Sequence, residues 1–212
     1  MKVTKFTVNP FGENTYVAWD ESSREAMIVD PGMMQDHERA VVTGFIDDNN
    51  LVMRHVLLTH AHIDHVTSAR WMADRYGIEV AGSELDAMLA TDLPLQAQHF
   101  RLKIDLDVLH IDRPLTDGDV ISLGNEPVHV LATPGHSRGG LVFYAPDSAL
   151  AFTGDTIFEG SIGRTDLPGG DYDTLIGSIR DKVLTLPLDT LLIPGHGPTT
   201  TVANERDFNP YL

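Results

Sequence analysis

Thr59-His60-Ala61-His62-Ile63-Asp64-His65 places three histidines and a carboxylate within six positions, directly after the apolar run His55 to Leu58. In extended chain, side chains two apart point the same way, so His60 and His62 can converge on one ion just past that strand. Asp64 and His65 then open a helix and point elsewhere. The same short loop can therefore serve two ions, one through His60 and His62 and another through Asp64 and His65.

Donors of the same kind recur far along the chain. His136 follows Val128-His129-Val130-Leu131-Ala132-Thr133-Pro134-Gly135, Asp155 follows Ala151-Phe152-Thr153-Gly154, and His196 follows Leu191-Leu192-Ile193-Pro194-Gly195. Each comes after an apolar run and directly after a glycine, which lets the backbone turn sharply and approach a site closely. His60, His62, Asp64, His65, His136, Asp155 and His196 fill two sites if Asp155 bridges them. A histidine at one strand end is as readily a cap or a solvated side chain, but the whole set is hard to produce by packing demands alone. The other five of the ten histidines, His37, His55, His99, His110 and His129, read as structural or solvated.

Composition bounds the chemistry. A length of 212 residues suits one domain, taken here as residues 1–212, and a domain of that size buries roughly 70% of its unfolded surface. No apolar run nears the roughly 20 residues of a membrane span. The start, Met1 to Val8, goes straight into a strand-like alternation without a signal peptide's apolar region, so a cytoplasmic location is expected. Zero cysteines exclude disulfides and thiolate ligands, leaving imidazole and carboxylate, which suit zinc, iron or manganese. A formal charge of −16 repels phosphate backbones, so nucleic acid is set aside in favour of a small-molecule substrate.

Strand-like runs recur at Val3 to Val8, Tyr16 to Trp19, Ala26 to Val29, His55 to Leu58, Val128 to Leu131, Leu141 to Tyr144, Leu150 to Phe152 and Thr190 to Ile193. Helices are expected over Gln35 to Asn49, Asp64 to Tyr76 closed by Gly77, Ser83 to Ala90, and Asp171 to Val183. Hairpin spacing early and helical crossovers later predict an α/β chain with mixed sheets covered by helices. Residues 91 to 118 carry no clear pattern. Met88, Leu89, Leu93 and Phe100 read as a helix face packed on the core rather than as a substrate pocket.

The Thr59 to His65 motif, with Gly135-His136, Gly154-Asp155 and Gly195-His196 downstream, resembles the metallo-β-lactamase superfamily over residues 1 to 212. The stretch Phe158-Glu159-Gly160-Ser161-Ile162-Gly163-Arg164-Thr165-Asp166-Leu167-Pro168-Gly169-Gly170-Asp171 is similar to a loop of compact bacterial glyoxalase II-like hydrolases. The resemblance implies a four-layer αββα sandwich. It also implies one divalent ion on His60, His62 and His136, a second on Asp64, His65 and His196, and Asp155 between them. Zinc comes first among the metals. Asp30, in Val29-Asp30-Pro31-Gly32, matches an early aspartate of the family that hydrogen-bonds a ligand histidine; an Asp-Pro-Gly turn accounts for it equally.

Ions in that arrangement lower the pKa of bound water and polarise a carbonyl. The expected reaction is hydrolysis of a thioester such as S-lactoylglutathione by hydroxide generated at the ions, with Asp64 able to take the water's proton. Another small ester or a lactone is the lesser alternative. Arg164 either binds a substrate carboxylate or pairs with Asp166. The helical domain that contacts glutathione in full-length glyoxalase II has no counterpart in the residues after His196, so those contacts do not carry over. A second resemblance, in Gly163-Arg164-Thr165-Asp166 and in Glu205 to Asn209-Pro210, is to iron-dependent persulfide dioxygenases, which implies one iron on His60, His136 and Asp155.

Overall fold

The structure, a computed structural model, describes residues 1–104 and 106–212. Its first sheet has six strands in the order β1 (Lys2–Val8), β2 (Glu13–Trp19), β3 (Glu25–Val29), β4 (Val52–Leu57), β5 (Val80–Gly82) and β6 (Arg113–Pro114). The first three are antiparallel neighbours, and β3 to β6 run parallel. Helices make those parallel crossovers: α1 (Asp36–Asp48), α2 (Ile63–Val66), α3 (Ala69–Tyr76), α4 (Ala87–Thr91) and α5 (Leu93–His99). The second sheet contains β7 (Val120–Leu123), β8 (Glu126–Ala132), β9 (Leu141–Ala145) and β10 (Leu150–Gly154). A small hairpin, β11 (Ile157–Phe158) with β12 (Ser161–Ile162), and helix α6 (Tyr172–Ser178) follow, and β13 (Leu191–Pro194), β14 (Thr200–Thr201) and α7 (Val202–Phe208) complete the chain. In space the second sheet reads β14-β13-β10-β9-β8-β7, with β10 and β13 as its one parallel pair.

Period-two alternation sorts the strands' apolar side chains into three cores. Tyr16, Ala18, Met27 and Val29 from the first sheet meet Val128, Val130, Phe143, Phe152 and Ile193 from the second. Their neighbours Val17, Ala26 and Ile28 face the other way, onto Val42 and Ile46 of α1 and Met72 of α3. On the far side of the second sheet, Val142, Ala151 and Leu192 pack on Leu175 of α6 and Val202 of α7. Helix, sheet, sheet, helix is the αββα sandwich that the family resemblance implies. Phe143 is fully buried between the sheets, where truncation to Ala costs about 3–5 kcal/mol.

Three helices differ from the sequence-based expectation; that over Ser83 to Ala90 is a 3-10 turn, Glu84–Asp86, running into α4. The predicted helix from Asp64 to Tyr76 is two helices, because Thr67 and Ser68 turn their hydroxyls to the carbonyl of Met33 at 3.1 and 2.6 Å. Gly77 ends the second in the left-handed conformation, φ 66°. The helix beginning at Asp171, whose carboxylate accepts from Thr174 N at 2.8 Å, loosens into a π turn over Ile179–Val183. Residues 91 to 118 contain α5, which opens on Leu93-Pro94 as helix starts tolerate. Among the described residues no helix is long and apolar enough to cross a membrane.

Candidate metal centre

Four strands end beside one another and deliver the site. The loop Thr59 to His65 leaves β4 of the first sheet, whereas His136, Asp155 and His196 follow β8, β10 and β13 of the second. Because β10 and β13 are parallel, Asp155 and His196 emerge at the same edge. Pairing between these strands shifts between Phe152 and Gly154, and Gly154 takes a left-handed φ of 48°, which re-aims Asp155 out of the sheet plane. Cross-sheet bonds lock the two halves together. Leu141 N donates to Thr59 O at 2.8 Å, Asn14 N donates to Gly195 O at 2.7 Å, and Tyr16 OH donates to Pro194 O at 2.7 Å.

Two clusters of donors result, each with its ligand atoms within 4.8 Å of one another: His60, His62 and His136, and Asp64, His65 and His196. Asp155 stands between them. Its Oδ1 lies 3.4 Å from His65 Nε2, and its Oδ2 lies 3.6 Å from His136 Nε2 and 3.7 Å from His196 Nε2. Asp64 Oδ2 lies 3.2 Å from His196 Nε2. Asp30, His60 and His65 also come together, with ligand atoms within 4.8 Å of one another. The Asp30 carboxylate is already occupied by Thr59 N at 2.7 Å, Thr59 Oγ1 at 2.6 Å and His65 Nδ1 at 3.0 Å. Asp30 therefore serves as the hydrogen-bond acceptor behind the cluster, while also forming a turn at φ 50°.

The imidazole tautomers follow from these partners. Thr59 gives its hydroxyl proton to Asp30, so its oxygen accepts from His60 Nδ1–H at 3.1 Å. His136 Nδ1–H donates to the carbonyl of Arg164 at 2.8 Å, and His65 Nδ1–H donates to Asp30. The rings of His60 and His136 then turn a bare Nε2 lone pair inward, and His65 points its Nε2 the same way, towards Asp155. His60 Nε2 and His136 Nε2 face each other at 3.2 Å, with His62 Nδ1 2.9 Å from the latter. Converging lone pairs repel unless a cation lies among them. His65 Nε2 and Asp155 Oδ1 are both buried without a hydrogen-bond partner, as donors reserved for an ion would be. The residues fit two cations.

Electrostatics divides the clusters in the same way. Burial first, and then the imidazoles of His65 and His136, press the His60 pKa well below its usual value; burial and His136 lower that of His62 to about 4. His60 and His62 are thus neutral imidazoles. Burial also disfavours a charged His65, but the carboxylates of Asp155 and Asp64 outweigh it and push that pKa up. Asp64 and Asp155 are correspondingly held below the usual carboxylate range by the imidazoles, against their burial. The second cluster calls for positive charge where an ion would sit.

Three contributors escaped the sequence reading. Asp86 is buried and accepts from Ala61 N at 3.1 Å, Ser137 Oγ at 2.7 Å and Gly139 N at 2.7 Å. It thereby ties the His60–His62 loop to the His136 loop. Thr59 links Asp30 to His60. Glu13 is fully buried with Oε1 unpaired, 4.0 Å from His65 Nδ1, and burial raises its pKa well above the usual range. An acid near a helix start and a threonine before a histidine give no local signal of these roles. Arg164, read as a substrate contact or as the partner of Asp166, makes a two-point pair with Asp166 at 2.7 and 2.7 Å. The expectation that Met88, Leu89, Leu93 and Phe100 form one core face needs correction. Leu93 is buried and Leu89 packs partly on the core, but Met88 and Phe100 are exposed and Phe100 borders a cavity. Helices this short cannot turn all four side chains inward.

An αββα sandwich with imidazole and carboxylate clusters at converging strand ends is the architecture of a metal-dependent hydrolase class, and the Metallo-beta-lactamase superfamily profile matches residues 8–196. The chain belongs to that superfamily. It is 40% identical over 214 residues to the hydroxyacylglutathione hydrolase GloC of Haemophilus influenzae, covering 100% of this chain and 98% of that one. The crystal structure of the BLEG-1 B3 metallo-β-lactamase superposes with a TM-score of 0.89 at 34% identity, over 100% of this chain and 99% of that one. That of TTHA1623 in a di-iron-bound form gives 0.86 at 35%, over 99% and 100%. ETHE1 from Myxococcus xanthus gives 0.81 at 27%, over 99% of this chain and 84% of that one.

Proposed function

We propose that the chain hydrolyses small thioesters of the S-acylglutathione kind, S-lactoylglutathione being the first substrate to test. His60, His62 and His136 would hold one divalent ion, Asp64, His65 and His196 a second, and Asp155 both. The observation that carries this reading is the convergence of the inward-facing Nε2 atoms of His60, His136 and His65 around Asp155, whose Oδ1 is buried with no hydrogen-bond partner. Zinc is the first choice, and iron or manganese suits the same donors. Bound there, two ions supply a water of lowered pKa and a Lewis acid for the thioester carbonyl.

The chain's own residues do the rest. Asp64, ionised at neutral pH because His65 and His196 lower its pKa against burial, is placed to take up the water's proton. Thr59, Asp30 and the Arg164 carbonyl hold three imidazoles in the tautomer that faces inward. With no cysteine in the sequence, no thiol nucleophile competes with water. The 40% identity to a hydroxyacylglutathione hydrolase supports the thioester assignment.

The Gly163-Arg164-Thr165-Asp166 and tail motifs favour the second reading, an iron-dependent persulfide dioxygenase. The tail, however, has a structural role. Glu205 is fully buried and accepts from Thr200 Oγ1 at 2.6 Å, Gly160 N at 2.9 Å and Asn209 Nδ2 at 2.8 Å, pinning α7 to the β11–β12 hairpin. The deciding experiment reconstitutes the protein separately with zinc and with iron, then compares S-lactoylglutathione cleavage with oxygen uptake on glutathione persulfide. About two ions per chain and thiol release are expected, both lost in Asp155→Ala. One iron per chain with oxygen uptake and no thiol release overturns the proposal.

A further inference from the structure

Beside His62 the surface opens into a cavity of about 400 Å³, within the size of small-molecule pockets. Leu89, Leu95 and Phe100 form one wall, and Leu167 and Pro168, from the loop that carries Arg164, form the other. Leu95 and Phe100 face the opening rather than the core, 60% and 37% exposed. Phe100 is held edge-on against Phe11, ring centres 5.4 Å apart.

The wall is fastened to the metal-ligand loop. Gln96 on α5 accepts from Ile63 N, the residue after His62, at 2.9 Å, and donates to Leu89 O at 2.9 Å. The cavity and His62 are therefore fixed relative to each other, and a group bound through His62's cluster has the cavity as its neighbour. The charges are selective as well. Among the described residues lining it there is no lysine or arginine, while Asp92 and Asp166 contribute carboxylates, the latter already paired with Arg164. The two carboxylates of a glutathionyl group find no lysine or arginine partner there, whereas an uncharged chain buries apolar surface against Leu89, Leu95 and Phe100.

We propose that this cavity seats the acyl half of the substrate, and that the chain prefers apolar acyl thioesters several carbons long to lactoyl thioesters. The inference rests on the hydrolase reading above. In the reaction the acyl C–S bond breaks, a C–O bond forms to the oxygen of water, and the thiol leaves with a proton. The acyl chain stays in the cavity, and the sulfur side points to solvent.

The test uses metal-loaded protein and thioesters of uncharged N-acetylcysteamine with acetyl, lactoyl, butyryl, hexanoyl and octanoyl groups. Each buried methylene should raise kcat/KM about fourfold until the cavity is full, roughly 200-fold from acetyl to hexanoyl. Leu95→Asp, at an exposed position, should cut the hexanoyl-to-acetyl ratio at least tenfold, and Val41→Asp, on the outer face of α1, should leave it unchanged. Calorimetry with the ketone analogues, in which CH2 replaces sulfur, gives a second readout: the hexanoyl analogue should bind at least tenfold tighter than the acetyl one, and Leu95→Asp should abolish the difference.

Thioester cleavage that is indifferent to chain length overturns the cavity assignment and leaves the hydrolase reading standing. Absence of cleavage, with analogue binding still dependent on chain length, overturns the hydrolase reading and leaves an apolar ligand site. Absence of both overturns both. If Leu95→Asp instead converts a dimer to a monomer with an unchanged acyl preference, the face is an interface between copies and the proposal fails.

Discussion

Asp86 accepts a hydrogen bond from Ser137 at 2.7 Å with the same oxygen that accepts from Ala61 N at 3.1 Å. One buried carboxylate thus holds the residue between two candidate ligands, His60 and His62, against the residue after a third, His136. Loops from opposite sheets keep a common geometry only if something spans them.

Asp86→Ala leaves three donors facing a buried acceptor that is gone. It is expected to destabilise the fold by about 2–4 kcal/mol and to weaken metal binding about 10–100-fold. Asp86→Asn keeps the shape and one acceptor, so it should recover most of the stability but only part of the metal affinity. Urea unfolding and chelator competition measure the two separately; equal recovery of both would make Asp86 a stability residue alone.

Thr59→Val keeps the volume and removes the hydroxyl between Asp30 and His60 Nδ1. His60 then has no acceptor to hold its proton on Nδ1. A roughly tenfold or greater loss of metal affinity is expected, with a nitrogen NMR spectrum of the metal-free protein showing the His60 proton redistributed between Nδ1 and Nε2. An unchanged spectrum would remove Thr59 from the tautomer argument.

At Gly195 a Cβ would come within 2.5 Å of both Asp155 Oδ1 and His65 Cε1. Since Gly195 is also bonded through N to Gly154 O at 2.9 Å, the backbone cannot retreat without breaking the strand end. Gly195→Ala should therefore separate Asp155 from His65 and lower metal occupancy below two ions per chain, as read by metal analysis after dialysis. Full occupancy would show that the strand ends can spread at no cost to the site.

Arg164 holds the Asp166 pKa down, to about 2 from the usual 3.8. A carboxylate depressed in the folded state contributes stability that is present above 3.8 and lost as pH falls towards 2; both groups are exposed, so the contribution is small. In Arg164→Ala the Asp166 carboxyl should titrate close to 3.8 again by NMR, with KM changed less than about threefold, because the guanidinium is engaged by Asp166 rather than free for substrate. A tenfold rise in KM would return Arg164 to the substrate.

Most of the fold was legible because alternation and punctuation are local. Val17 and Ala18 go to different cores for no reason beyond the pleat, and the predicted strands match β1, β2, β3, β4, β8, β9, β10 and β13 to within a few residues. Residues 91 to 118 stayed unreadable because α5 is short and its apolar residues serve two surfaces: Leu93 enters the core and Leu95 borders the cavity.

The sequence by itself singled out the candidate donors. His60, His62, Asp64 and His65 are neighbours in the chain, and each remaining donor announces itself by a strand that stops at glycine. Only the tertiary structure decided which nitrogen of each ring faces inward, that Asp86 clasps the two loops, and that an apolar cavity adjoins His62. Covalent spacing fixes where neighbouring side chains point, but a hydrogen bond between Asp86 and Ser137, 51 positions apart, exists only once both sheets have packed.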